Sequence, residues 1–279
     1  MNLLGMIATD IREGWVSLRW WYLVTACLFA VDVGAMALQA KAYGYADMHF
    51  SVGDYLCYFF AGAKEFSLLY DEPFRFPPAW AATVLVPLYM TLWYPCRDLS
   101  GFGTLMMVEG GGRWKWWLAK ALWVAITIVL FFAVALIVAV FAAIVLGGSL
   151  SLSVSDGTPL LMGSRPSQIA DPPYDIVSML AVCVVAMIAL ALFQLTVSVI
   201  VDPLVAYVAI VATLFLSVFY KNDLLVGNYL MAIRNASFMK GGMDAGTGFV
   251  ASCVLALSSI AIGGWLLSKK DLLGKENLS

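Results

Sequence analysis

Residues 117–146 read WLAKALWVAITIVLFFAVALIVAVFAAIVL, a run in which Lys120 is the one charged residue. At about 1.5 Å of rise per residue this run makes roughly 45 Å of helix, well beyond the roughly 30 Å hydrocarbon thickness of a bilayer. Such a segment belongs in lipid, either tilted or extended as a stem on one side. The rest of the chain has the same character. Of 279 residues, 62% are hydrophobic and 12% charged, with a mean hydropathy of +0.89, whereas a soluble domain carries about 25% charged residues. So little charge cannot cover a water-facing surface, and the predicted fold class is an all-α integral membrane protein.

Working outward from that run, six apolar segments qualify as spanning helices: 20–38, 80–94, 117–146, 176–201, 204–219 and 249–267. Asp202 and Pro203 alone separate the fourth from the fifth, which forces an antiparallel hairpin. Before the first span, Leu3, Leu4, Ile7, Ile11, Trp15 and Leu18 recur at helical spacing, so residues 1–19 are expected to form an interfacial amphipathic helix. A secretory signal is rejected, although Ala35-Met36-Ala37 resembles a cleavage site, because Asp10 and Glu13 do not suit one and Asp32 interrupts the run. Residues 54–70 and 220–248 mix aromatic and apolar residues with charges and read as external helical segments.

Six spans put both termini on one side, and lysine and arginine decide which. With the ends inside, Arg12, Arg19, Arg97, Arg113, Lys115, Lys120, Lys269, Lys270 and Lys275 fall on short internal segments. Lys41, Lys64, Arg75, Arg165, Lys221, Arg234 and Lys240 are spread over much longer external loops. The expectation is a multi-pass protein of the cytoplasmic (plasma) membrane with both termini cytoplasmic.

Several function classes are excluded at this stage. A net charge of −2 and a pI near 5.3 give no basic footprint for nucleic acid. The five cysteines lie far apart without CxxC spacing, and His49 is the sole histidine, so neither a metal site nor a nucleophile–histidine arrangement is expected. No GxxxxGK[ST] phosphate loop is present, so the chain is not expected to be an enzyme or to bind a cofactor by itself.

The informative stretch is Tyr94 to Lys120, YPCRDLSGFGTLMMVEGGGRWKWWLAK, between the second and third spans. Asp98 and Ser100 suit a helix N-terminus, Phe102, Leu105 and Met106 line one face of a short helix, and Gly110-Gly111-Gly112 ends it. Arg113, Lys115 and Lys120 are expected to meet lipid headgroups, with Trp114, Trp116, Trp117 and Trp123 as an aromatic belt. On composition alone this is also an ordinary positive-inside loop with interfacial anchors.

The order of several loose motifs goes further. Pro73-Phe74-Arg75-Phe76-Pro77-Pro78 with Trp80 is followed by Tyr94-Pro95, Asp98-Leu99 and Gly103, then by Arg113, Lys115-Trp116-Trp117 and Lys120. Asn228-Tyr229, Met231 and Arg234 precede the last span, and Lys269-Lys270-Asp271-Leu272-Leu273 follows it. In this order the chain resembles permeases of the type 2 ATP-binding-cassette family, the membrane subunits of exporters. It departs from their pattern at Glu109, where a basic residue is common, and at Gly112, where a small polar residue is usual.

The resemblance implies two permease subunits, identical or different, joined to two cytoplasmic ATPase subunits that bind ATP and Mg. A coupling helix between the second and third spans would dock on the ATPase, with Asp98, Leu99, Phe102, Gly103, Leu105, Met106 and Glu109 as the contact residues. Substrate would then move by alternating access. A non-transporting membrane sensor or immunity protein of the same fold is the alternative, and an intramembrane enzyme a weaker one.

Elsewhere, Asp32 inside the first span either snorkels to the interface or contributes to a substrate path or dimer contact. Gln194, Thr196 and Ser198 read as hydrogen-bonding groups toward neighbouring helices, and Pro87 as a kink.

Overall fold

The structure, a computed structural model, describes residues 3–45, 48–65, 76–99, 101, 103, 107 and 112–270. These residues form helices and no β-strand. In chain order the helices are α1 (Leu3–Ala42), α2 (Val52–Phe59), α3 (Pro78–Met90), α4 (Trp93–Leu99), α5 (Arg113–Val145), α6 (Thr158–Leu161), α7 (Ile176–Ser198), α8 (Pro203–Phe219) and α9 (Ala245–Lys269), with 3-10 turns at Pro166–Gln168, Val226–Leu230 and Ala232–Arg234. Four of them, α1, α5, α7 and α9, are long and apolar enough to cross a membrane. The protein is thus an all-helical membrane protein by length and composition.

Two expectations about element boundaries change. The break expected between an interfacial helix over 1–19 and a span over 20–38 is absent, because α1 is one helix of 40 residues, about 60 Å long. The reason is its buried stripe: Met6, Asp10, Gly14, Leu18, Tyr22, Thr25, Phe29, Asp32, Met36 and Ala40 follow one another every three or four residues without a phase change. The apolar residues of the first turns do not form that stripe: Leu4, Ile11 and Trp15 are exposed, while Met6, Asp10, Gly14 and Leu18 pack on protein. The second expected span, 80–94, is likewise two helices. Pro87 lacks the amide that would bond the Thr83 carbonyl, α3 ends at Met90, and α4 starts at Trp93. The open Leu88 carbonyl at that end accepts from Gln194 Nε2 of α7 and from Thr91 Oγ1, both at 3.0 Å.

α1 and α5 run parallel. Asp10 meets Lys120 near their starts, and Phe29 packs on Phe131 at 5.4 Å further along. α7 and α9 also run parallel, with Thr196 Oγ1 donating to the Ser259 carbonyl at 2.9 Å and Lys270 Nζ to the Val199 carbonyl at 2.8 Å. The buried face of α9 is made largely of small residues, Gly248, Ser252, Ser259, Gly263 and Gly264, which let its neighbours approach closely.

The end of the bundle away from Lys120 is closed by two polar staples. Ser51 and Asp54 form a capping box on α2, and Asp54 Oδ1 also accepts from Ser155 N at 2.8 Å, Ser155 Oγ at 2.9 Å and Thr158 Oγ1 at 2.6 Å. Those bonds tie α2 to the loop after α5 without any cation. The second staple is Arg234. All five guanidinium hydrogens are used: Nε on the Ala63 carbonyl at 2.9 Å, Nη1 on the Ser217 carbonyl and Asn228 Oδ1, and Nη2 on the carbonyls of Val218 at 2.6 Å and Lys64 at 3.2 Å. Two of these carbonyls lie in the last turn of α8, where a cation also suits the helix dipole. Burial pulls the guanidinium down to about 10, with the Glu65 charge opposing, so it stays charged at neutral pH. The 220–248 region, expected as an external helical segment, is helical before α9 only as the two short turns over 226–234; both are buried, the first among α7, α8 and α9 and the second against the segment after α2.

Candidate functional site

The loop between α4 and α5 rises from a buried charge cluster. Lys120, about two turns into α5, is 1% exposed. Its ammonium pairs with Asp10 of α1 and, at 2.7 Å, with Asp98 Oδ2 near the end of α4. Tyr94 Oη donates to Asp10 Oδ1 at 2.9 Å, and Trp116 Nε1 donates to Asp98 Oδ2 at 2.9 Å. The ammonium also lies over the Tyr94 ring, 4.7 Å from its centroid, and 5.3 Å from that of Trp116. A carboxylate in the last turn of α4 opposes the helix dipole, and Lys120 with Trp116 offsets that. Two acids share one ammonium here. Asp10 Oδ2 is buried without a hydrogen-bond partner.

Glycines let tryptophans seal this end. A Cβ on Gly103 would lie 2.5 Å from Asp98 Oδ2 and 2.6 Å from Trp116 Nε1, so a glycine there lets the chain close over their hydrogen bond. Cβ atoms on Gly14, Gly263 and Gly264 would fall inside the rings of Trp123, Trp117 and Trp114 respectively. The Trp117 indole N–H is satisfied by the Ile260 carbonyl at 2.8 Å. α5 is therefore keyed into α1 on one side and α9 on the other.

Of the residues expected to meet headgroups, Lys115 is exposed. Lys120, Trp116 and Trp117 are instead buried inside the protein, the tryptophans at 2% and 1% exposure. Arg113 Nη1 turns to the carbonyls of Leu267 at 3.3 Å and Ser268 at 2.6 Å, closing the end of α9. Lysine, arginine and tryptophan suit a membrane interface, but Arg113, Trp116, Trp117 and Lys120 also find partners within the protein. Of the expected coupling residues, Asp98 and Leu99 are half-buried and Gly103 is buried, while Phe102, Leu105, Met106 and Glu109 lie outside the described residues. The partners that sequence reasoning missed are Asp10 and Tyr94. Their signal was Asp10 in step with Met6, Gly14 and Leu18 along α1, and a lone lysine inside an apolar run.

The polar residues of α7 act as expected of interhelical groups, Gln194 toward α3 and Thr196 toward α9, while Ser198 bonds within α7 and accepts from Cys96 Sγ at 3.4 Å. Asp32 does not snorkel; it is 3% exposed and turned into the protein.

No family model matches this chain. Neither a curated protein nor a solved structure shows significant similarity to it.

Proposed function

We propose that the chain is the membrane-spanning permease subunit of an ATP-driven exporter, with six spans, both termini cytoplasmic, and the stretch from Asp98 to Gly112 as the contact for a separate ATPase. The six spans are α1, α3 continued by α4, α5, α7, α8 and α9. A second permease copy or a different one completes the assembly, and ATP and Mg belong to the partner ATPase.

One observation carries the reading: Asp98, at the head of the loop, is held by Lys120 and Trp116 of α5, and Lys120 in turn holds Asp10 of α1. A force applied to the loop is delivered through these contacts to two long parallel helices, which is the mechanical link such a machine needs. The order of motifs from Pro73 to Leu273 supports the same reading. The test is isolation of the full chain from its native membrane, followed by assay of the complex. An ATPase co-purifies, and Asp98→Asn or Leu105→Asp lowers the coupling between hydrolysis and export while the chain still reaches the membrane. If no ATPase accompanies the chain, or if both variants export normally, the assignment fails.

A further inference from the structure

A carboxyl is set into the middle of α1 with no basic side chain paired to it among the described residues. Asp32 sits on the buried stripe between Phe29 and Met36, is 3% exposed, and its Oδ2 has no hydrogen-bond partner. Among the described residues no lysine or arginine pairs with it. The other buried acids are treated differently: Asp10 is met by Lys120 and Tyr94, and Asp54 by four donors.

The ionisable groups around it are few. α5 has none between Lys120 and Val145, α6 has none, and α3 contributes Tyr89 alone. α2 brings Asp54, Tyr55, Cys57 and Tyr58. The Tyr58 hydroxyl is committed elsewhere: it donates to Gln39 Oε1 at 2.8 Å, and Gln39 Nε2 donates to the Leu161 carbonyl at 2.7 Å.

A carboxylate buried without a counter-charge or donor costs several kcal/mol, and a group in that position resolves the cost by keeping its proton. In water the same group ionises near about pH 4. We propose that Asp32 is a proton-binding site, which holds a proton while α1 is closed against α2 and α5 and gives it to water when that packing opens. The step is a simple transfer from the carboxyl oxygen to a water molecule, leaving a carboxylate. Opening is therefore favoured as pH rises. This inference does not rest on the exporter reading.

The test uses the full chain in lipid vesicles, carrying aspartate labelled with carbon-13 at the side-chain carboxyl, and infrared spectroscopy at neutral pH. A labelled carbonyl band of a protonated carboxyl is expected in the wild type and is lost in Asp32→Asn. Should that variant fail to fold, Asp32→Glu keeps the acid but removes it from the labelled pool, so the labelled band disappears and an unlabelled one replaces it. A wild type with only ionised aspartate at neutral pH overturns the proposal, as does a labelled band that survives in Asp32→Glu. Thermal unfolding provides a second arm. The folded state holds a proton that the unfolded state gives up, so as pH rises above about 4 the wild type loses more stability than Asp32→Asn. Parallel curves count against the site.

Discussion

Lys120 holds two carboxylates, and the consequences of losing them differ. Replacing Lys120 with Met leaves Asp10 buried and uncompensated between α1 and α5, so a loss of about 3–5 kcal/mol is expected. Asp98→Asn keeps Asp10 paired and still offers an acceptor to Trp116, so its cost should stay under about 1.5 kcal/mol. Denaturant titration of the purified chain checks the order; equal losses would mean that the three groups do not form the described hierarchy. Arg234 makes a sharper case for side-chain geometry. Lysine has three donors on one point and cannot reach carbonyls on α8, on the segment after α2 and on the 226–230 turn together. Arg234→Lys should therefore lower stability by roughly 2–4 kcal/mol with charge unchanged, judging by about 1–3 kcal/mol for each buried acceptor left open. A thermal midpoint close to wild type would show that charge alone suffices. Neither hub was legible in the sequence as a hub. A lysine at the foot of a span ordinarily snorkels, and its true partner Asp10 stands 110 positions away.

Among the elements, continuous apolar runs were legible and their interruptions were not. The expected spans 117–146, 176–201, 204–219 and 249–267 correspond to Arg113–Val145, Ile176–Ser198, Pro203–Phe219 and Ala245–Lys269, because in each case apolar length alone defines the helix. The stretch 80–94 is interrupted at Thr91, one turn after Pro87, and Gln194 satisfies the Leu88 carbonyl left open there, a partner that the local sequence does not reveal. The fit of tryptophan to glycine was also hidden, since Trp117 and Gly263 are each unremarkable until α5 and α9 meet. Gly263→Ala puts a methyl group where the Trp117 ring lies. The expected loss is about 1–3 kcal/mol, in the range for overpacking a filled core. Trp117→Phe, which shortens that ring, should restore part of it in the double variant. An additive double variant would show that the contact is not the source of the loss.

For the whole molecule, the directions of the helices bear on how the chain sits in a bilayer. α1 and α5 start together at the Lys120 end, as the Lys120–Asp10 contact requires, and α7 and α9 finish there, as the contacts of Arg113 with Ser268 and of Cys96 with Ser198 show. The Asp202-Pro203 turn reverses α8 against α7, and the 220–244 connection returns the chain for α9. If each pass is a membrane span, Lys115 and His49 face opposite compartments. Lys115 is exposed beside the Lys120 cluster, and His49 is exposed at the far end of α5, 3.4 Å from the Leu146 carbonyl through Nδ1. Some 30 residues of α5 separate the two levels, about 45–50 Å of helix, enough to cross a bilayer with tilt to spare. In a background with the five native cysteines replaced, Lys115→Cys should react with a membrane-impermeant maleimide only after the cytoplasmic face is opened, and His49→Cys should react in intact cells. Labelling of both from one side would remove the six-span arrangement, because it requires α5 to lie within a single leaflet. Labelling with the sides exchanged would keep the spans but turn the Asp98–Gly112 stretch outward, away from any cytoplasmic ATPase.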